Sequence, residues 1–288
     1  MAWTESPRVL AIRERSSFAD LVVETLDGFR RHQTGRNGAV LTYYGFLTLF
    51  PLFLAVTTIL GFVLERRPEW REELIGSAVE SVPFIGQDLA STGSIGGSYW
   101  ALAVGLALAL WGSMKAFVGM QSAYDDTLEV PLDDRGNLLR VRLRALIGLA
   151  AIGAAQVANV VLATVVGEVD LPRIGDAAIV LGGLTINMAV LATMYRYLTS
   201  AQLTWRSVLP GTVFAAVLFT AIQFAGTRAI TALQKSADTY GEFAAVISLL
   251  AWLSVHAVIN LFGAEINAAR ARLGDRDVDG AADVTPAA

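Results

Sequence analysis

The side chains that can do chemistry in this sequence are few, and most of them sit among apolar neighbours. There are two histidines, His32 and His256, and no cysteine. A hydrolytic metal site needs three or more His, Cys or carboxylate ligands converging on one ion. Here one histidine lies beside a charged N-terminal segment and the other inside an apolar stretch, so that set is not supplied. Without cysteine there is no thiolate nucleophile, disulfide framework or Cys-based cluster. No glycine-rich phosphate loop, dinucleotide fingerprint, His-Glu-x-x-His helix or nucleophile elbow occurs. The chain is therefore not expected to be an enzyme, and no residue is given a catalytic, metal-binding or cofactor-binding role.

What remains is polarity inside apolar stretches, where ionisable and amide groups are expensive and mark either pathways or interhelical contacts. Lys115, Gln156, Asn159, Asn187, Gln223, His256 and Asn260 are the candidates to line a polar cavity. Each has a plainer reading. Lys115 can snorkel along its stem to a membrane interface, and Gln156, Asn159, Asn187 and Gln223 can serve as hydrogen-bond glue between helices. His256 and Asn260 share a helical face at i,i+4 spacing, fitting either a satisfied core histidine or a proton relay. Glu265 falls near the C-terminal end of the last apolar stretch, where the helix dipole disfavours a carboxylate. Arg196, expected at the same membrane depth, is the candidate partner for a structural ion pair. Pro51 lies within the first stretch and removes the hydrogen bond to Leu47, which predicts a kink.

These residues must be positioned by helices in a membrane. The chain has 288 residues, 54% of them hydrophobic and only 17% charged, with a mean hydropathy of +0.52. That is far more apolar than a soluble domain with one core. Six apolar runs are each long enough to cross about 30 Å of hydrocarbon at 1.5 Å per residue. They cover approximately Ala39 to Leu64, Tyr99 to Gln121, Ala145 to Gly167, Ala177 to Leu198, Val208 to Ile230 and Phe243 to Ala264. Because the runs are apolar all round rather than alternating, they predict helices and not barrel strands. The fold class is thus all-α, a polytopic bundle of about six transmembrane helices, with residues 39–267 as the membrane domain. In the second run Ala101, Gly105, Ala109 and Ser113 form a small-residue ridge suited to close helix approach.

Charge sets the expected orientation. Lys and Arg on the N-terminal segment, the second and fourth connections and the C-terminal tail outnumber those on the remaining connections by fifteen to six. The positive-inside rule then places both termini in the cytoplasm of a cell bounded by a cytoplasmic membrane. The net charge of −4 supplies no overall basic field for nucleic acid. Within residues 1–38, Phe18, Leu21, Val22, Leu26 and Phe29 share one stripe of a helix over Ser17 to His32, predicting an amphipathic helix on the cytoplasmic interface. Residues 65–97 read as an outer segment, and 268–288 as a disordered cytoplasmic tail rich in Asp, Gly and Ala.

Several short patterns carry a resemblance. Tyr43-Tyr44-Gly45 followed by Leu49-Phe50-Pro51, then Tyr195-Arg196, Pro210-Gly211, Tyr240-Gly241, Trp252 and Gly263-Ala264-Glu265-Ile266-Asn267 occur in the order and spacing of the YihY/BrkB family of bacterial inner-membrane proteins. The chain resembles that family over about residues 20 to 270. It departs at Thr199, where the family commonly carries proline after its Tyr-Arg pair. The resemblance implies a six-helix cytoplasmic-membrane protein of a family historically mislabelled ribonuclease BN, with roles proposed in envelope integrity and in lipid or lipopolysaccharide export. It supplies no biochemical activity to copy onto these residues. Membrane lipids are the expected partners, with a second copy of the chain or envelope proteins as further ones. Transport of a lipid or other amphiphile is the expected function, and a non-transporting scaffold for envelope partners is the alternative.

Overall fold

The structure is a computed structural model, and it describes residues 4, 6–49, 99–168, 174–234 and 242–283. Among the described residues there are helices and turns and no strand. Helix α1 spans Pro7–Arg15, with Pro7 at the first position, where its missing N–H costs nothing. Helix α2 spans Ser17–Arg31, and Ser16 caps it by accepting a hydrogen bond from the Phe18 N–H at 3.2 Å. Helix α3 covers 34–49. Helices α4 (Tyr99–Thr127), α5 (Leu138–Glu168), α6 (Ile174–Tyr197), α7 (Trp205–Gln234) and α8 (Glu242–Asp283) follow.

Among the described residues four stretches are long and apolar enough to cross a membrane: Ala103–Thr127, Ala177–Tyr197, Trp205–Gln223 and Val246–Gly274. They coincide with the second, fourth, fifth and sixth expected spans. The third expected span lies within α5, but the Gln156 and Asn159 side chains are outside those described. The first expected span is described only as far as residue 49, so Pro51 and its kink fall outside, as does segment 65–97. Large apolar side chains point outward along these helices, among them Trp111, Ile147, Leu181, Val217 and Ile247. Such a surface suits lipid tails and would be an aggregation hazard in water.

The tail differs from the sequence expectation. Beyond Leu273, α8 continues as helix to Asp283. Arg272 and Arg276, one turn apart, both reach Glu24 of α2, and this anchorage carries the helix past the apolar stretch.

The chain falls into two compact units. One consists of Met1–Leu41, Phe117–Lys235 and Ser254–Ala288. Its core is built from Phe117, Tyr124, Leu191, Tyr195, Leu198, Val208 and Leu261, and within it α6 packs against both α5 and α7. The other consists of Thr42–Ala116 and Ser236–Leu253. In it α3 meets α4 where Gly112 leaves room for Thr48, whose Oγ1 would stand 2.9 Å from an added Cβ. Gly105, Ala109 and Gly112 are buried along this part of α4 while Ser113 is half-buried, so the small-residue ridge ends on Gly112 rather than Ser113. Hydroxyls within the apolar helices are satisfied locally. Thr48, Thr127, Thr185, Thr193, Thr212 and Thr220 each donate to the carbonyl four residues back, at 2.7 to 2.9 Å.

Candidate functional site

Two buried carboxylates from opposite ends of the chain meet in the larger unit. Glu24, on α2, has a side chain only 4% exposed. Its oxygens accept from Arg272 Nε at 3.0 Å, Arg276 Nη1 at 3.1 Å and Arg13 Nη2 at 3.1 Å. Burial alone would raise the Glu24 pKa, but the charges of Arg276 and Arg272 and their hydrogen bonds outweigh it and hold the carboxyl below its ordinary value.

Glu265, on α8, is fully buried, and its surroundings are different. His32 Nδ1 lies 3.0 Å from Oε1 and 3.1 Å from Oε2. Thr34 Oγ1 donates to Oε1 at 2.7 Å, and Thr127 Oγ1 stands 3.4 Å from the same oxygen. The expected partner Arg196 is not in this set. Its guanidinium stacks instead over Trp205, 4.4 Å from the ring centroid, and lies 5.4 Å from that of Tyr197. The pairing of Glu265 with Arg196 is therefore replaced by one with His32, because the turn after α2 brings an imidazole and a hydroxyl directly onto the carboxylate.

That turn is strained. Gln33 has φ 52°, and Glu129, just past α4, has φ 55°. Both are left-handed conformations that non-glycine residues seldom adopt. The Glu129 carboxylate lies 2.9 Å from Arg31, 3.5 Å from Arg272 and 3.5 Å from His32 Nε2. Gly28 completes the fit of α2. A Cβ there would stand 2.5 Å from Glu265 Oε2 and 2.9 Å from Arg272 Nη2.

The polar residues expected to line a cavity go separate ways. Asn260 is buried, accepting from Tyr124 Oη through Oδ1 at 2.6 Å and from Tyr195 Oη through its carbonyl at 2.7 Å. The two tyrosine rings pack 5.4 Å apart. His256 rests against Phe219, with ring centroids 4.9 Å apart. Lys115 is exposed, its ammonium 5.9 Å from the centroid of Trp111, and Asn187 is half-buried on α6. Gln223 faces a groove of about 210 Å³ whose other walls are Leu162, Ile179, Val180, Gly183, Leu184 and Thr220. Of the five candidates whose side chains are described, Gln223 lines that groove and Lys115, Asn187, His256 and Asn260 do not. Among the described residues no three His or acidic side chains gather to hold a metal ion.

Two further contacts explain short sequence patterns. The Gly211 N–H donates to Asn267 Oδ1 at 2.7 Å, and an added Cβ on Gly211 would collide with the Gly263 carbonyl. Pro210-Gly211 and the Gly263 to Asn267 run thus face each other across a close crossing of α7 and α8. Thr199 and Ser200 close the turn between α6 and α7 on buried Asp125. Thr199 Oγ1 and the Ser200 N–H donate to Oδ1 at 2.7 and 2.6 Å, and Ser200 Oγ donates to Oδ2 at 3.0 Å. Sequence reasoning passed over Asp125 and Glu24 because each reads as an ordinary acid in a polar stretch. It gave His32 no role because the length of chain between residues 32 and 265 hides their contact.

The chain resembles known proteins along most of its length. It is 22% identical over 268 residues to the "Putative ribonuclease-like protein YfkH" of Bacillus subtilis (strain 168), covering 85% of this chain and 93% of that protein. It is 27% identical over 264 residues to "Uncharacterized protein Dda3937_02003" of Dickeya dadantii (strain 3937), covering 82% and 78%. No solved structure matches it significantly. The family described as "Virulence factor BrkB" matches residues 25–285, a span that takes in Glu265, His32, Asp125 and the α7–α8 crossing, and the chain belongs to that family.

Proposed function

We propose that this membrane protein handles lipids, moving an amphiphile or its headgroup along the bundle and so supporting the integrity of the cell envelope. The observation that carries the reading is the groove at α5, α6 and α7. Its walls are apolar apart from Thr220 and the Gln223 amide, and Ile179 is 42% exposed at its edge. An acyl chain fits such walls and an amide can meet an ester or headgroup oxygen. In this reading the membrane is the cytoplasmic one, six helices cross it and both termini lie in the cytoplasm. Helix α2 then lies along the interface. Its Phe18, Val22 and Leu26, spaced four apart, are exposed while Glu24, Thr25 and Gly28 are turned inward, which presents an apolar stripe to the acyl boundary.

A photoreactive group on the acyl chain of a phospholipid, activated in vesicles holding the protein, tests the groove. Labelling concentrated on residues 179–184 and 220–223, and reduced by Gln223→Trp, is expected. Labelling spread evenly over all apolar helix faces contradicts it. The alternative, a scaffold that moves nothing, draws support from the pairing of Asn260 with Tyr124 and Tyr195 and of Asn267 with Gly211. Amides tied up in this way stiffen a bundle and leave no polar path at those positions.

A further inference from the structure

The two buried carboxylates described above differ in what would follow if each took up a proton. Neutralising Glu24 would take a counter-charge from Arg13, Arg31, Arg272 and Arg276 and leave Asp20 and Glu129 to face all four, an unfavourable result at a buried carboxyl. Glu265 has no Lys or Arg within ion-pair distance among the described residues. It is held by the Thr34 hydroxyl and the His32 imidazole, while the Thr127 hydroxyl, whose proton goes to the Ala123 carbonyl, stands 3.4 Å away. A proton on Glu265 therefore leaves no fixed charge unpaired.

His32 also approaches a second carboxylate. Its side chain is 7% exposed, its Nδ1 is on Glu265, and its Nε2 is buried with no hydrogen-bond partner. Across 3.5 Å from Nε2 stands Glu129, whose side chain is 49% exposed. The imidazole thus lies between a carboxylate in contact with water and one that has none. We infer that His32 passes protons between Glu129 at the surface and Glu265 inside, which makes Glu265 a proton-loading site in the middle of α8.

The transfer balances within these three side chains. In the resting tautomer Nδ1 carries the proton and donates it to Glu265, while the Nε2 lone pair faces Glu129. A proton taken from water by Glu129 passes to Nε2, and the Nδ1 proton passes to Glu265. The ring is left neutral with its proton on Nε2, and a turn of the ring or the reverse transfer resets it. The other charged groups of the network are fixed. Arg31 and Arg272 sit on Glu129, and Arg272 Nη2 also approaches Gly28. Glu24 holds Arg13, Arg276 and Arg272, with Arg31 at 3.9 Å, and Arg13 in turn pairs with Asp20. None of the arginines gains or loses a proton in the working range. Because His32 and Thr34 flank the turn joining α2 to α3, loading Glu265 alters the tie between that turn and α8.

This inference goes beyond lipid handling and does not rest on it, since its readout needs no cargo. The full chain in vesicles is followed by infrared difference spectroscopy after a drop in pH. The carboxylic acid C=O absorption that rises in the unmodified protein is expected to lose one component in Glu265→Gln, the other acids giving the same band in both. His32→Asn and Glu129→Gln are expected to slow the rise of that component by about tenfold or more while leaving its final amplitude, which a merely structural loss would change. Glu129→Gln alters a half-exposed side chain and so decides the question if His32→Asn does not fold. A C=O difference band identical in Glu265→Gln and in the unmodified protein, or a Glu265 component that rises at the full rate in either relay variant, overturns the inference.

Discussion

At the scale of single residues, Glu24 makes the charged hub sensitive to acid. Its carboxyl is buried, which works against ionisation, yet Arg276 and Arg272 hold its pKa below the ordinary value. A group depressed in the folded state stabilises fully above its unfolded pKa, and the contribution is lost as pH falls through the folded one. Thermal melting in detergent is therefore expected to show stability falling on acidification through and below the usual carboxylate range. Glu24→Gln should lower stability at neutral pH by about 3 kcal/mol, because it takes a counter-charge from Arg13, Arg31, Arg272 and Arg276, and should flatten the acid limb. An acid limb as steep in Glu24→Gln as in the parent would show that other carboxylates set it. The need of Glu265 for a partner was legible in the sequence from its place in an apolar stretch, although the helix end expected just after it is absent, since α8 runs on to Asp283. Which partner was not: membrane depth pointed to Arg196, whereas His32 is 233 positions away and reaches it only because α2 folds back on α8.

At the scale of elements, the ends of α6 and α7 were readable from composition. The polar run from Thr199 to Ser207 contains the turn that separates Tyr197 from Trp205. Thr204 and Ser207 cap the entry to α7 reciprocally, with Ser207 N–H to Thr204 Oγ1 at 3.3 Å and Thr204 N–H to Ser207 Oγ at 3.1 Å. What fixes the turn was hidden, because Asp125 belongs to α4 and meets Thr199 and Ser200 only through tertiary packing. Asp125→Ala removes three hydrogen bonds to a charged acceptor and is expected to cost about 2 kcal/mol. Amide exchange over residues 198–204 should quicken by about tenfold or more, while α8 beyond Ala268 keeps its protection. Unchanged exchange in the turn would mean that its backbone is held without Asp125. The apolar helices themselves were the most legible feature, since their length and uniform hydropathy follow directly from the thickness of hydrocarbon.

At the scale of the whole molecule, this is a BrkB-family protein built for a membrane. Its described helices carry large apolar side chains outward and bury Tyr124, Tyr195, Asn260 and Glu265 inside. How the expected cavity residues are partnered was the least legible feature, and for Gln156 and Asn159 it lies outside the described side chains. A polar side chain in an apolar helix announces only that it needs a partner, and Asn260 met that need with two tyrosines while Gln223 faces a groove. Hydropathy records the cost of the group and not its direction. The central claim, that the bundle moves an amphiphile, is tested most directly by lipid movement between leaflets of vesicles that hold the purified protein, against protein-free vesicles and the Gln223→Trp variant. The account predicts protein-dependent movement that Gln223→Trp lowers by about tenfold while the variant still melts as a folded protein. Movement no faster than in protein-free vesicles, with and without a proton gradient, would contradict it and favour the scaffold.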